Sequence, residues 1–283
     1  MKYKIVSNIK ILFLLIPVIM ILVPVWIMLT GTFMGPDEVS SKLGPILVDS
    51  NKPTSWTILP DYPTLHAYVE LLLDTPKFFV MFWNSVKQVV PMILGQVIIS
   101  IPAAWGFARF EFKGKKTLFL LYMILMIMPF QVTMVSSYLV LNYFDLIDTH
   151  FAIILPGIFS TFPIFITTKF FQSIPEELIE AAKLDGASRC KVLCKIGIPL
   201  GSGGIISMVI LSFVEYWNAL EQPLTFIREK TYWPLSLYLP QITVSNVQVA
   251  FIASVIMMAP SVLIFLGGQS YLEQGIVASG IKQ

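Results

Sequence analysis

Two ionisable side chains, Lys87 and Glu215, interrupt long apolar runs and are the first candidates for chemistry. Asn84, Lys87 and Gln88 share one helical face by their i, i+3, i+4 spacing. Asn218 lies three residues after Glu215, which places these two on one helical face as well. A charge in apolar surroundings is costly and commonly marks a substrate or ion pathway. These five residues are therefore candidates for a polar path. The alternative, which the residues leave open, is that Lys87 extends to a polar interface while Glu215 hydrogen-bonds a neighbouring helix.

A metal site is the second kind of chemistry to consider. Cys190 and Cys194 stand four residues apart, which places both thiols on one face of a helix, but a tetrahedral site needs two further ligands. The two histidines, His66 and His150, belong to segments that the topology given below puts on the other side of a membrane. We therefore predict no metal site and interpret the cysteines as small buried hydrophobes.

The composition excludes most soluble classes of protein. Hydrophobic residues make up 56% of the chain and the mean hydropathy is +0.77. Charged residues make up 13%, about half the share in a soluble domain. A net charge of +2 without a basic patch speaks against nucleic-acid binding, and two cysteines exclude a disulfide framework. The chain is predicted to be an integral membrane protein in a lipid bilayer.

Six runs are long and apolar enough to cross the ~30 Å hydrocarbon core as helices of ~20 residues. They are residues 9–34, 78–107, 117–142, 151–171, 201–220 and 249–272. Their continuity favours helices over the alternating strands of a barrel. The predicted fold is all-α, a polytopic bundle of six transmembrane helices that forms a single domain over residues 1–283. Two glutamines within it, Gln96 and Gln131, are expected to hydrogen-bond between helices.

The distribution of basic residues predicts the orientation of the spans. With the N-terminus in the cytoplasm, 13 of the 19 lysines and arginines fall on the cytoplasmic side and 5 fall outside. Both termini, residues 109–116 and residues 172–200 are then cytoplasmic.

The long external segment, residues 35–77, holds six prolines, which forbid a long helix there. Trp56, Tyr62 and Tyr68 lie in this segment. We interpret them as aromatic residues of the membrane interface, with stacking on a sugar as the alternative.

The segment Ser173–Leu200 is predicted to form two short cytoplasmic helices joined by a tight turn. Ser173 is the expected N-cap of the first helix, with Pro175 in its first turn and Glu176 at the capping-box position. Gly186 is expected to end this helix in the left-handed conformation.

The second helix of this segment is predicted to start at Ala187 or Ser188 and to end at Pro199. Ala181, Ala182 and Leu184 give the first helix an apolar face of small residues, which suits close docking by another protein. An ordinary amphipathic loop between spans is the alternative.

The pattern E-A-A-x-x-D-G-A-S, closed by I-x-x-P-L, resembles the cytoplasmic EAA signature of permease subunits of binding-protein-dependent ABC importers. The matching residues are Glu180, Ala181, Ala182, Asp185, Gly186, Ala187, Ser188, Ile196, Pro199 and Leu200. The stretches AAWGFARFEFKGKKTLFLLYMILMIMPFQVT, WPLSLY and YLEQGIVASGIK resemble the maltose-type, carbohydrate-uptake group, and the likeness extends from about Asn84 to the C-terminus. Ala219 and Glu273 depart from that group's pattern and leave the substrate open.

The resemblance implies an inner-membrane permease, not an enzyme, that carries a carbohydrate, in particular an oligosaccharide, across the plasma membrane. Its implied partners are a second permease of different sequence, two ATPase subunits and an extracytoplasmic solute-binding protein. The residues implied to couple the ATPase to the spans are Glu180, Ala181, Ala182, Asp185, Gly186 and Ala187. No cofactor is expected on this chain, since it lacks G-x-x-x-x-G-K-[ST] and ATP would bind to the partner.

Other classes of function remain alternatives at this point. A proton- or ion-coupled secondary transporter would use Lys87 and Glu215, although such folds often show paired halves, and no duplication is visible in the sequence. An intramembrane enzyme would need a catalytic dyad or metal cluster at membrane depth, which two histidines outside the spans do not offer. An ABC permease for a solute other than a sugar is the third alternative.

Overall fold

The computed structural model describes residues 2–47, 57–238 and 247–280. The helices are α1 Lys2–Gly31, α2 Pro36–Leu47, α3 His66–Leu72, α4 Pro76–Arg109, α5 Lys115–Ile127, α6 Phe130–Tyr143, α7 Phe151–Ile158, α8 Thr161–Ser173, α9 Glu176–Leu184, α10 Arg189–Val192, α11 Ile198–Leu200, α12 Ser202–Trp217, α13 Glu221–Phe226 and α14 Val247–Gly280. A π turn, Leu193–Gly197, joins α10 to α11, and two 3-10 turns lie at Lys230–Tyr232 and Leu235–Leu237. No strand occurs in these described ranges, and the predicted all-α fold is confirmed.

Four helical stretches in the described ranges are long and apolar enough to cross a membrane. They are Phe13–Gly31, Pro76–Arg109, Phe151–Ser173 and Val247–Glu273. Two bent pairs meet the same criterion when each pair is taken together, namely α5 with α6, and Arg189–Leu200 with α12. The described ranges therefore contain six candidate spans if each bent pair crosses once, which agrees with the predicted number.

The third predicted span, residues 117–142, differs from the single helix that its composition suggests. α5 and α6 meet at Met128 and Pro129 with a bend of 103°. Met128 is extended (φ −65°, ψ 124°), since a residue before proline avoids the α region. The bend therefore has a local cause in the sequence.

The fifth predicted span, residues 201–220, is shorter than expected. α12 has 16 residues, which at 1.5 Å per residue give ~24 Å, less than the hydrocarbon core. The stretch Arg189–Leu200, which the sequence assigned to the cytoplasmic segment, meets α12 at a bend of 69°. This stretch ends one residue beyond Pro199. The π turn Leu193–Gly197 widens the backbone just before Pro199, because the ring of the proline and its missing N–H would disturb a regular α turn.

The chain divides into two compact units. The first comprises Met1–Phe79 with Tyr238–Ala259, and the second comprises Val80–Leu237 with Pro260–Gln283. That residues 1–283 act as one transmembrane domain stays a prediction.

In the first unit, a buried lysine connects the two described parts of the segment 35–77. Lys42 is 7% exposed, and its Nζ donates to Glu38 Oε1 at 2.6 Å, to Thr57 Oγ1 at 2.6 Å and to Asp61 Oδ2 at 2.8 Å. A buried ammonium is tolerated only with partners of this kind. The helices in the described residues of this segment, α2 and α3, are short, as the prolines predict.

The aromatic residues predicted at the membrane interface have different surroundings. Tyr62 is 82% exposed. Tyr68 is half-buried, and its hydroxyl donates to Thr32 Oγ1 at 2.9 Å. Trp56 lies outside the described residues. Their location at the interface stays a prediction.

In the second unit, one buried cluster joins the end of α4 to the segment that follows α8. Its buried members are Ala104, Trp105, Phe171, Ile174, Ile179 and Val192. We call this set the Trp105 cluster. Because it includes residues of α4, α8, α9 and α10, these four helices share one core.

Candidate functional site

The helix that carries the E-A-A pattern, α9, begins at Glu176, directly after Pro175. Ser173 is the last residue of α8, and its Oγ donates to the Phe170 carbonyl at 2.7 Å, so the predicted N-cap at Ser173 is wrong. The reason is that Ile174 precedes a proline and is held extended (φ −69°, ψ 129°), which a helix cannot pass through. Glu176 is consequently the first helical residue and not part of a capping box.

α9 ends in a Schellman motif, which fixes the direction of the chain after it. Gly186 has φ +75°, as predicted for a left-handed stop. The Ala187 N–H donates to the Ala182 carbonyl at 2.9 Å, and the Gly186 N–H donates to the Lys183 carbonyl at 3.0 Å. Apart from the glycine and its two chain neighbours, no atom of the described residues lies within 4 Å of the place where a Cβ on Gly186 would stand, so the need for glycine here is conformational and not steric.

The E-A-A residues divide between two faces of α9. The stripe that we call the exposed face consists of Glu177, Glu180, Ala181 and Leu184, at the 3–4 residue spacing of one side of a helix. Leu178 and Lys183 beside this stripe are also exposed. Asp185 and Gly186, which end the helix, are exposed as well. Leu184, which the sequence assigns to an apolar face of this helix, is 89% exposed, which is unusual for a leucine.

The opposite face of α9 packs inward. Ile179 is 2% exposed, and the half-buried Ala182 and Ala187 pack against the Trp105 cluster. Ala182 is thus small because of its own chain's core, and a bulky residue there would press on that core.

The second half of the segment starts where the sequence predicts. Ser188 caps α10, and its Oγ accepts a hydrogen bond from the Lys191 N–H at 3.3 Å. Cys190 and Cys194 are free and exposed, so their interpretation as buried hydrophobes is wrong. Among the residues that the structure describes, no three His, Cys, Asp or Glu side chains are placed to hold a metal ion.

Two glycines allow this second half to pack closely. A Cβ on Gly197 would lie 2.6 Å from Trp105 Cζ3, and one on Gly201 would clash with the Phe171 ring. Trp105 and Phe171 contact each other edge to face, with ring centroids 5.2 Å apart. The π turn and the bend before α12 are therefore fixed against α4 and α8.

Two candidates for the polar path, Asn84 and Gln88, are buried, and their side chains bind the loop at residues 231–233. Asn84 Nδ2 donates to the Thr231 carbonyl at 2.7 Å, and Gln88 Nε2 donates to the Tyr232 carbonyl at 3.0 Å. Gln88 Nε2 also lies 3.1 Å from His150 Nδ1. These contacts with the loop could not be predicted from the sequence, because the loop lies more than 140 residues away along the chain.

The other three path candidates, Lys87, Glu215 and Asn218, are exposed. Glu215 forms no ion pair among the described residues, with Lys87 or with any other cation. Asn218 Nδ2 donates to the Val214 carbonyl at 2.8 Å and to Ser261 Oγ at 3.3 Å. Glu215 and Asn218 thus present polar groups on the surface of an otherwise apolar helix.

Both glutamines predicted to bond between helices do so. Gln96 is fully buried in α4, and its Nε2 donates to the Gly157 carbonyl in α7 at 2.8 Å. Gln131 of α6 donates from Nε2 to both carboxylate oxygens of Glu221 in α13, at 2.7 Å each.

Acidification is expected to destabilise the fold through His150. Burial, and then the charge of Lys87, lower the pKa of this imidazole below its ordinary 6.5. The unfolded chain therefore takes up a proton that the folded chain resists, so the stabilisation is complete above about pH 6.5 and is lost as the pH falls below it. We expect the melting temperature of the purified protein to drop between about pH 7.5 and about pH 5.5.

His150→Asn is the matched control for this prediction. Its amide oxygen can replace Nδ1 as an acceptor for Gln88, and it does not titrate. The drop in melting temperature should be smaller in this variant, and equal drops in both proteins would contradict the role given to His150.

The chain is similar to membrane components of transport systems. A profile of the family described as "Binding-protein-dependent transport system inner membrane component" matches residues 96–278. The "Arabinooligosaccharides transport system permease protein AraQ" of Halalkalibacterium halodurans is 26% identical over 226 residues, which cover 79% of this chain and 81% of AraQ. The "Putative ABC transporter permease protein ORF2" of a Caldicellulosiruptor species is 30% identical over 233 residues, which cover 81% of this chain and 84% of that protein.

Solved structures share the fold. A chain of a bacterial ABC transporter involved in the import of the acidic polysaccharide alginate superposes with a TM-score of 0.78 at 19% sequence identity, over 95% of this chain and 96% of the other. A second alginate transporter structure, in complex with a pentasaccharide-bound periplasmic protein, gives a TM-score of 0.61 at 14% identity, over 94% of this chain and 95% of the other.

Proposed function

Because the chain belongs to the family of binding-protein-dependent transport system inner membrane components, we propose that it moves a carbohydrate, in particular an oligosaccharide, through an ATP-driven importer. Support for this substrate class comes from the names of its relatives, which include an arabinooligosaccharide permease, and from the alginate importers that share the fold. In this proposal the chain is a single transmembrane domain. A second permease of different sequence completes the pathway, and an extracytoplasmic binding protein delivers the solute.

The observation that carries the proposal is the exposed face of α9. Glu177, Glu180, Ala181 and Leu184 form a stripe of two carboxylates, one small residue and an exposed leucine, open to a partner. We propose that one of two ATPase subunits docks on this face, with Asp185, Gly186 and Ala187 fixing the turn that follows. Each ATP-driven closure of the ATPase pair would then move α9 and switch the spans between two access states.

The experiment that tests the proposal is co-purification. The affinity-tagged chain, expressed with the nucleotide-binding subunits of its host and extracted in mild detergent, should retain an ATPase at roughly one copy per permease chain. A pure chain without any ATPase, in preparations where the fold is intact, would refute the proposal and favour a secondary transporter.

We further propose that both termini, residues 109–116 and residues 172–200 lie in the cytoplasm. The exposed native thiols of Cys190 and Cys194 test this directly. A membrane-impermeant maleimide should label them only after the cells are permeabilised. A single cysteine at Tyr62, on a background with both native cysteines replaced by serine, should be labelled in intact cells, and the reverse pattern would overturn the orientation.

We propose that Glu215, Asn218 and Lys87 face the pathway between the two permeases, with Asn84 and Gln88 shaping its outer end through the 231–233 loop. A carboxylate that faces hydrocarbon costs ~2.5 kcal/mol or more, which supports an interior position for Glu215. Hydroxyl groups of a sugar are suitable donors to this carboxylate.

Glu215→Gln is expected to weaken solute transport without preventing assembly. A hydrogen bond to a charged acceptor contributes about 1 kcal/mol more than one to a neutral acceptor, so the half-saturating solute concentration should rise about fivefold. Uptake and the amount of assembled complex are measured together, with Glu70→Gln outside the spans as the matched control. A loss of complex with normal affinity would show that Glu215 braces helices instead.

A further inference from the structure

The last residue of α4, Arg109, binds the chain where α8 ends and α9 begins. Its side chain is 9% exposed, and its Nη2 donates to the carbonyls of Phe171 and Ile174 at 2.5 Å each. Its Nη1 donates to Glu176 Oε2 at 2.6 Å. One guanidinium therefore joins the ends of three helices.

The geometry of these acceptors calls for an arginine. The last carbonyls of a helix have no donors within the helix, and here Arg109 supplies them for α8. The planar fork of the guanidinium reaches two carbonyls and a carboxylate at once, whereas the three donors of a lysine diverge from one nitrogen. Arg109 also lies over the Trp105 ring, at 5.7 Å from its centroid.

The link stands at the point where α9 could otherwise move independently of the spans. Residues 174 and 175 between α8 and α9 are extended, and no helical hydrogen bonds cross them. The Trp105 cluster contacts the inner face of α9 through Ile179, which is an apolar contact that permits sliding. The pair Arg109–Glu176 adds a directional connection between the first turn of α9 and the end of a 34-residue helix.

We propose that Arg109 and Glu176 are positioning residues that make α9 and α4 move together, so that displacement of α9 by an ATPase reaches the spans. This inference rests on the proposed function, in which the ATPase docks on the exposed face of α9. That face does not include Arg109, so docking and transmission can be separated by experiment.

The test is a double-mutant cycle on the reconstituted importer with its binding protein. Arg109→Gln, Glu176→Gln and the double variant are compared for uptake per ATP hydrolysed, with ATPase pull-down measured in parallel. Glu176 is half exposed, so Glu176→Gln should fold normally. If Arg109→Gln does not assemble, Arg109→Lys replaces it in the cycle, because lysine keeps the positive charge but lacks the planar fork. Lys113→Gln and Lys116→Gln serve as controls, since both residues lie outside the exposed face of α9 and neither forms an ion pair in the described part of the chain.

We expect each single variant to bind the ATPase normally and to lose about fivefold in uptake per ATP, with the double variant no worse than the poorer single variant because the two residues act as one link. The controls should match the wild type. The inference would be overturned if the loss of uptake per ATP in the double variant were the product of the two single losses. It would also be overturned if uptake per ATP were the same in all variants as in the wild type. Failure of the wild-type chain to bind any ATPase would instead refute the proposed function.

Discussion

Gly186→Val should leave the protein inserted in the membrane yet uncouple ATP hydrolysis from transport. At φ +75° a branched side chain costs about 1–2 kcal/mol, so the turn after α9 should open and the exposed face should lose its fixed position. We expect the stimulation of ATPase activity by loaded binding protein to fall about tenfold, since that factor corresponds to about 1.4 kcal/mol. The measurement is ATP hydrolysis in reconstituted membranes.

The chain offers a matched control for this strain. Gly114 has φ +82° and, like Gly186, has open space among the described residues where a Cβ would stand. Gly114→Val therefore imposes the same backbone cost outside α9. We expect it to keep its stimulation, and Gly186→Asn should keep most of it because asparagine tolerates the left-handed region. Equal losses at both glycines would mean that strain in general, and not the turn after α9, accounts for the effect.

Leu184→Ala should weaken the binding of the ATPase. Leu184 is 89% exposed, and covering a leucine side chain contributes about 1.5–3 kcal/mol. Loss of most of that contribution corresponds to an affinity about tenfold to a hundredfold lower. Pull-down with increasing concentrations of the ATPase measures the change.

Leu73→Ala is the control for this second prediction, because Leu73 is 74% exposed and belongs to the external segment. It should leave ATPase binding unchanged. If Leu184→Ala binds the ATPase as the wild type does, the exposed face of α9 is not the docking surface.

Local signals in the sequence were enough for the class of fold and for the turn at Gly186. Apolar runs of span length and a glycine after a short amphipathic stretch depend on neighbouring residues only, and both were found as predicted. The wrong N-cap at Ser173 also has a local cause, since Pro175 outweighs the capping preference of serine.

Contacts between distant parts of the chain could not be predicted in this way. The sequence presents Arg109 as one of several basic residues at a membrane boundary, and only the fold brings it to Glu176, 67 residues later. Asn84 and Gln88 have the spacing of a polar path, but the carbonyls of the 231–233 loop take up their amides. The inward position of Ala182 likewise depends on the Trp105 cluster, which four helices build together.

The most direct measurement is uptake of a labelled oligosaccharide by proteoliposomes that contain the chain with its partner permease and ATPase. We expect uptake to require ATP on the side where α9 lies and the loaded binding protein on the other side. It should persist when a protonophore removes the proton gradient. Uptake that continues without ATP and stops with the protonophore would contradict an ATP-driven importer and would identify a proton-coupled transporter.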